Sequence, residues 1–539
     1  MGGIEKPHGQ GNNMIKIKEI TIVGGGSAGW MTAVHLSTLH PQYKINLIES
    51  DKVPTIGVGE STQQRINIWA KSLGLEMDDF IKETDGSYKL SIRFNNFHKI
   101  NDGGFHYPFG QMTYSIAPHR MTNWMVKKTI DPDTPNSEFA KRYYSQMSLI
   151  EKNKINTNVS GVFNDYNFQN DVAVHFDATK FGQWLKNKIA IPKGVNHIVA
   201  DVVNIESNEN GINKLHLSTG ETITSDLYID CTGFKSILLG SHLKEPFKDF
   251  SQKIPVNRAW AVQIPYVDKE KELENFTDCT ALGYGWVWNT PLWSRIGTGY
   301  VYSDKFIKPE EALEEFKNYL KTKINPIYAP ERITDELKFN DVHFKNGKYE
   351  RLWVKNVVAI GLAGSFIEPL ESNGLWSTHE YLRMLSRVIY KKQVNRIDVD
   401  GFNNSTEEMY NGLLSFVQLH YALTERDDTE FWKYMSSESE PTHDEYNKTT
   451  FSPNGNFEGQ LGIACISFGH GVMPFDQGDI NMWNKMAPQN TREVTNDFDS
   501  KYEEIKKIWD QEANISPSHY KYLKEKFHKY DVEDGSLTE

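Results

Sequence analysis

Apolar positions along the chain switch between two periods. Between Lys16 and Val23 they close into a short run (Ile20, Ile22, Val23), the pattern of a buried strand, and Gly24-Gly25-Gly26-Ser27-Ala28-Gly29 follows. Helical spacing runs from Trp30 to Leu39, and a second strand, Ile45 to Ile48, ends at Glu49. Together these predict a βαβ unit. The strand signal recurs far downstream. Asp226 to Cys231 leads into Thr232-Gly233, and Val354 to Ile360 leads into Gly361-Leu362-Ala363-Gly364. Strands this far apart, with no repeat of fixed period, predict one nucleotide-binding sheet whose segments are separated by large insertions. After about residue 374 the texture turns helical. Leu375 to Lys392, Glu407 to Leu423, Ser500 to Asp510 and Tyr520 to Phe527 read as helices, and Ser436 to Gly459 as a surface loop.

Composition narrows the function classes. With 539 residues, 38% of them hydrophobic, the chain is too apolar for disorder. It is long enough for about two to four domains. Its 25 Tyr, 28 Phe and 13 Trp can build aromatic walls. No apolar run approaches the roughly 20 residues of a membrane span. The opening MGGIEKPHGQGNN has no apolar h-region, so it reads as a loose polar leader, not a secretory signal. Cys231, Cys279 and Cys465 lie far apart, which excludes a disulfide scaffold or zinc ribbon and fits a reducing cytoplasm. None of the 17 His forms an H-E-x-x-H run, and no metal is expected. With 59 basic against 71 acidic residues the net charge is −12, which disfavours a nucleic-acid partner.

In the glycine loop, Gly24 permits the tight turn, Gly26 lets a pyrophosphate approach the backbone, and Gly29 allows close helix–sheet contact. Glu49 stands where an acid would hold a ribose hydroxyl. Several glycine-bearing strand ends favour FAD over NAD, because FAD stretched along such a fold touches more than one of them. The expected flavin-binding set is Gly24, Gly25, Gly26, Ala28, Gly29, Glu49, Ser50, Glu60, Val202, Leu362 and Leu375. The expected fold is α/β: a Rossmann-like FAD-binding domain of the flavoprotein monooxygenase type with a mostly helical C-terminal substrate domain. The division read from the sequence is a disordered leader over 1–14, a discontinuous FAD-binding and catalytic domain over 15–395, and the helical domain over 396–539.

The run GGGSAGWM followed by PTIGVGEST resembles the flavin-dependent halogenases of the tryptophan-halogenase type. Gly285-Trp286-Val287-Trp288-Asn289-Thr290-Pro291 is similar to that family's W-x-W-x-I-P signature, with Thr290 in place of Ile. His175-Phe176-Asp177-Ala178 and Arg426 to Trp432 resemble two further family segments, so the resemblance runs from about residue 18 to about residue 433. In Tyr88-Lys89-Leu90-Ser91-Ile92-Arg93-Phe94 strict alternation predicts one strand with Lys89, Ser91 and Arg93 on its polar face, which makes Lys89 a solvated lysine. The resemblance reverses this, because it implies that Lys89 is the active-site lysine, able to polarise hypohalous acid or become a haloamine. It likewise implies that Glu371, in Pro369-Leu370-Glu371-Ser372-Asn373-Gly374, is the catalytic glutamate and takes the proton lost from the ring. The N–H groups of Asn373 and Gly374, at the start of a helix, are the expected halide site.

Substrate positions depart from the family. Phe105-His106-Tyr107-Pro108-Phe109-Gly110 exchanges His and Tyr, leaving Tyr107 and Phe109 as the expected aromatic wall. The cluster that grips the charged end of tryptophan is not recognisable in Asn454 to Gln477, so an uncharged indole or another electron-rich arene is expected instead of free tryptophan. The implied activity is an FADH2- and O2-dependent halogenation fed by a separate NAD(P)H flavin reductase. Trp286 and Trp288 would wall the flavin from the substrate, joined to it by a tunnel. Chloride, bromide and iodide stay open, with a lean toward bromide or iodide, and a homo-oligomer is compatible with the fold. Two rivals remain at this stage: a flavin-dependent aromatic hydroxylase, and a flavin-binding protein without catalysis.

Overall fold

The computed structural model describes residues 15–52, 60–113, 115–117, 120–163, 165–322, 333, 336–391, 393–438, 461–473 and 478–529. A six-stranded sheet carries the nucleotide-binding signals. Its order is Trp353–Val354, Val357–Ala359, Leu227–Asp230, Glu19–Val23, Lys44–Glu49 and Asn196–Val199, parallel throughout except at the first pair. The two downstream strands therefore join this sheet as expected, Leu227–Asp230 beside Glu19–Val23 and Val357–Ala359 beyond it. The stretch from Val354 to Ile360 is not one strand, however. It folds back as a hairpin through Lys355, whose φ of 54° makes the turn. Helix Ser27–Leu39 packs over the sheet, with Trp30, Met31, Val34 and Leu36 fully buried.

A second sheet of seven strands forms the other half. Its order is Asn340–His343, Arg258–Ile264, Ile296–Tyr302, Gly285–Pro291, Thr277–Ala281, Ser91–Asn95 and Phe105–Pro108. A third, small antiparallel sheet holds Glu60–Ser61, Ala173–Phe176 and Ser87–Lys89. This arrangement corrects the single alternating strand expected around Lys89. Ser87–Lys89 belongs to the small sheet and Ser91–Asn95 to the large one, and at the break Leu90 N donates to Asn275 O at 2.7 Å. The polar side of Lys89 consequently faces the junction of the two sheets, not water, and Lys89 is fully buried.

The C-terminal part is helical, and its helices start earlier than their apolar patterns. Arg396–Ala422 begins under a capping box made by Asn395 and Asp398, which extends it well before Glu407. Pro488–Ile515 starts with a proline in its first turn, and Asn373–Ile389 follows a left-handed Ser372. Ser436, Ser437 and Glu438 belong to helix Glu430–Glu438, not to the expected loop, whose remainder falls outside the described residues. One core cluster joins sheet residues such as Ile20 and Leu47 to Leu414, Trp432 and Phe498 of these helices. Among the described residues no helix is long and apolar enough to cross a membrane.

Candidate active site

The C-terminal ends of the parallel strands open onto a cavity of about 920 Å³. Gly24, Gly25, Gly26, Ala28, Glu49, Ser50, Glu60, Val202, Leu362 and Leu375 all line it, as do Asn373 and Gly374. Gly29 does not. It lies beneath the loop, where a side chain would run into the Gly24 carbonyl, the close helix–sheet contact expected of it. Gly24 has φ of 114°, and a Cβ there would strike the Cys231 carbonyl, so only glycine fits. Gly26 has open space beside it and caps helix Ser27–Leu39 with no side-chain bond, leaving first-turn N–H groups for an anion. Glu49 is charge-compensated in a way the sequence did not disclose. Its Oε2 accepts from Lys186 Nζ at 3.0 Å and lies 2.7 Å from His197 Nε2, while Oε1 rests against Gly25. These features fit a dinucleotide such as FAD.

Lys89, Glu371, Tyr107 and Phe109 lie behind the cavity wall, grouped together. Lys89 Nζ donates to Ser61 Oγ at 2.8 Å, to Ser372 Oγ at 2.9 Å and to the Thr62 carbonyl at 3.0 Å. Burial pulls its pKa down to about 7, against the opposing pull of Cys279 and Glu371. The Phe109 ring centroid is 5.3 Å from the ammonium, and Tyr107 packs edge-on to Phe109 at 5.8 Å. Ser61 and Ser372 touch Lys89 and also line the cavity, so the wall between cavity and lysine is one side chain thick. Trp286 and Trp288 line the same cavity.

Glu371 sits in the short turn Pro369–Glu371, fully buried, just ahead of Ser372. Its Oε1 is 2.7 Å from His420 Nε2, and Oε2 has no hydrogen-bond partner among the described residues. His420 Nδ1 is 2.9 Å from the Phe416 carbonyl, which can only accept, so Nδ1 carries a proton. One further proton must then lie between Nε2 and Oε1, because two lone pairs would otherwise face each other at that distance. The turn is held by Glu368, also buried. It accepts from Tyr421 OH at 2.7 Å, Trp286 Nε1 at 3.1 Å and Leu370 N at 3.2 Å. Burial raises the Glu368 pKa to about 7.

Asn373 begins the 17-residue helix Asn373–Ile389, and its side-chain amide donates to the Glu368 carbonyl at 3.3 Å. Beside Gly374 there is open space. Sequence reasoning missed His420, Glu368 and Ser61. His420 and Tyr421 read only as the buried face of a helix, and nothing local pairs them with a turn about fifty residues upstream. Helix Leu461–Gly469 was missed as well. It brings Gly462 against the Phe416 ring and Tyr107 hydroxyl, so close that a methyl on Gly462 would meet them at 2.9 and 3.0 Å.

Comparison with known proteins identifies the family. The tryptophan halogenase family profile matches residues 19–464. Tryptophan 6-halogenase ThaL of Streptomyces albogriseolus is 31% identical over 434 residues, covering 78% of each chain. The apo structure of VirX1 superposes with a TM-score of 0.85 at 35% identity, covering 96% of this chain and 100% of the other. The tryptophan 6-halogenase SttH of Streptomyces toxytricini gives a TM-score of 0.80 at 26% identity, covering 94% and 99%. The chain belongs to the tryptophan halogenase family and is an enzyme, a flavin-dependent halogenase.

Proposed function

We propose that this enzyme uses FADH2, O2 and halide to halogenate electron-rich arenes and heteroarenes such as indoles, without restriction to free tryptophan. The carrying observation is that Ser61 and Ser372 are shared between the glycine-loop cavity and Lys89. Bound flavin, delivered reduced by a separate NAD(P)H flavin reductase, supplies the oxidation of halide by O2 to hypohalous acid. Gly24, Gly26 and the uncapped start of helix Ser27–Leu39 hold the pyrophosphate, and Glu49 the ribose. The main-chain N–H groups of Asn373 and Gly374 hold halide, since the Asn373 side chain is turned inward to Glu368.

Past the serine wall, Lys89 directs the oxidised halogen toward a ring held between Tyr107, Phe109 and Phe416. Oε2 of Glu371 takes the proton released as aromaticity returns, while Oε1 stays bound to His420. Excluding the ring from the flavin cavity protects it from direct oxygen transfer. The test is Lys89→Ala, assayed with FAD, an NADH-driven reductase, O2 and each halide against a panel of indoles, phenols and tryptophan. Halogenated product disappears in the variant while FAD affinity is unchanged. Loss of FAD binding makes Lys89 structural, and undiminished product removes its role.

A further inference from the structure

His175 lies two hydroxyls away from Lys89 and takes no part in the chemistry described above. It occupies the middle strand of the small sheet, paired with Ser61 on one side and Ser87 on the other, and is fully buried. Its Nδ1 is 3.1 Å from Ser87 Oγ, and Ser87 Oγ is 2.5 Å from the Pro291 carbonyl. That carbonyl can only accept, so the Ser87 proton goes to it and His175 Nδ1 must donate to Ser87.

Burial, with the nearby charge of Lys89 and the neighbouring His519, holds the His175 pKa well below its ordinary value, so the ring is neutral and Nε2 is an acceptor. Thr277 Oγ1, 2.8 Å from Nε2, therefore donates to it. Thr277 in turn accepts from Ser61, 3.2 Å away, and Ser61 accepts from Lys89 Nζ at 2.8 Å and from Ser372 at 3.2 Å. Starting from one carbonyl, every proton in the chain has a single place.

We propose that His175 is a positioning residue for Lys89: acting through Thr277 and Ser61, it fixes the direction of this hydrogen-bond chain and so orients the N–H donors of the ammonium. The proposal rests on the reading of Lys89 as the group that handles the oxidised halogen. With Thr277 donating onward, both lone pairs of Ser61 are available to Lys89 and Ser372, and each link strengthens the next. If Thr277 could not donate to His175 or accept from Ser61, the Ser61 proton would turn toward Lys89. It would then bond the neutral amine and oppose the ammonium. The other ionisable groups facing Lys89 are Glu371 and Cys279.

His175→Phe is the direct variant, but it also strips Ser87 of its partner, so the isosteric Thr277→Val and the conservative Thr277→Ser make the test. In the full-length protein the Nζ resonance of Lys89 is followed by ¹⁵N NMR against pH and assigned by its absence in Lys89→Ala. Thr277→Val lowers the Lys89 midpoint by about half to one pH unit, the size of one net hydrogen bond. It moves the pH profile of kcat in the same direction, with FAD affinity unchanged, and Thr277→Ser restores both. A wild-type midpoint in Thr277→Val, or a failure of Thr277→Ser to restore it, overturns the role of His175. A wild-type protein that yields no halogenated product overturns the proposed function instead, and the titration still decides the chain.

Discussion

Glu371→Gln separates proton transfer from packing at the centre of the site. His420 has already committed Nδ1 to the Phe416 carbonyl, so its Nε2 can accept as readily as it can share a proton. In the variant the introduced side-chain amide donates to Nε2 across the same short gap, so the pair is held without the shared proton. A buried charge-assisted bond becomes a neutral one of the same shape; the amide carbonyl takes the place of the already unpaired Oε2, and the second amide N–H becomes one unpaired buried donor. Such an exchange lowers folding stability by about 1 to 3 kcal/mol, the cost of that unpaired donor. Turnover responds differently, because the unpaired Oε2 is the proton acceptor and an amide cannot replace it. Loss of a positioned general base costs about 10² to 10⁴ in rate. That corresponds to about 3 to 5 kcal/mol of barrier. The assay pairs initial rates of halogenated product, by mass spectrometry, with urea unfolding followed by tryptophan fluorescence. A kcat within about threefold of wild type refutes the base assignment. A stability loss above about 4 kcal/mol refutes the proton placement between Glu371 and His420.

Three further outcomes follow from the geometry. Lys89 falls from its ordinary 10.5 to about 7 on folding, so between those values the unfolded chain binds the extra proton and stability rises with pH. Relative to Lys89→Met, wild type therefore gains stability in urea unfolding from about pH 7 to about pH 9, and a constant difference contradicts the burial argument. Gly24→Ala, forced to φ of 114° and into the Cys231 carbonyl, loses FAD binding in a flavin fluorescence titration; retained affinity contradicts the assigned loop. Gly462→Ala pushes a methyl toward Phe416 and Tyr107, raising KM for bulkier arenes with FAD affinity intact. Equal KM values across a size series place the ring elsewhere.

What could be read from the sequence was whatever is encoded locally. The glycine loop is legible because its turn, its close contact and the following helix all fall within six residues, each demanding a residue type that nothing else explains. The burial of Lys89 is not, since alternation describes a strand but not the sheet that strand joins. Here the change of sheet at Leu90 turns a nominally solvent-facing side inward, and the partners Ser61 and Ser372 lie 28 and 283 residues away. Resemblance marked the lysine where periodicity assigned it to solvent. His420 and Glu368 were hidden for a related reason: on a helix face or in a turn, a residue that pairs across the core looks like any other buried position. Helix Leu461–Gly469 escaped because it is apolar on every side and carries two glycines, so it shows no period. Yet it bears directly on the aromatic wall.

On this reading halogen, not oxygen, reaches the aromatic ring, because the ring sits behind the serine wall beside Lys89. The most direct measurement is the exact mass of the product formed from an indole by wild-type enzyme with FAD, a flavin reductase, O2 and bromide. The expected product has one ring hydrogen replaced by bromine, seen as its paired isotopes, and none forms when bromide is omitted. A product heavier by one oxygen, formed with or without bromide, would contradict it and identify a hydroxylase.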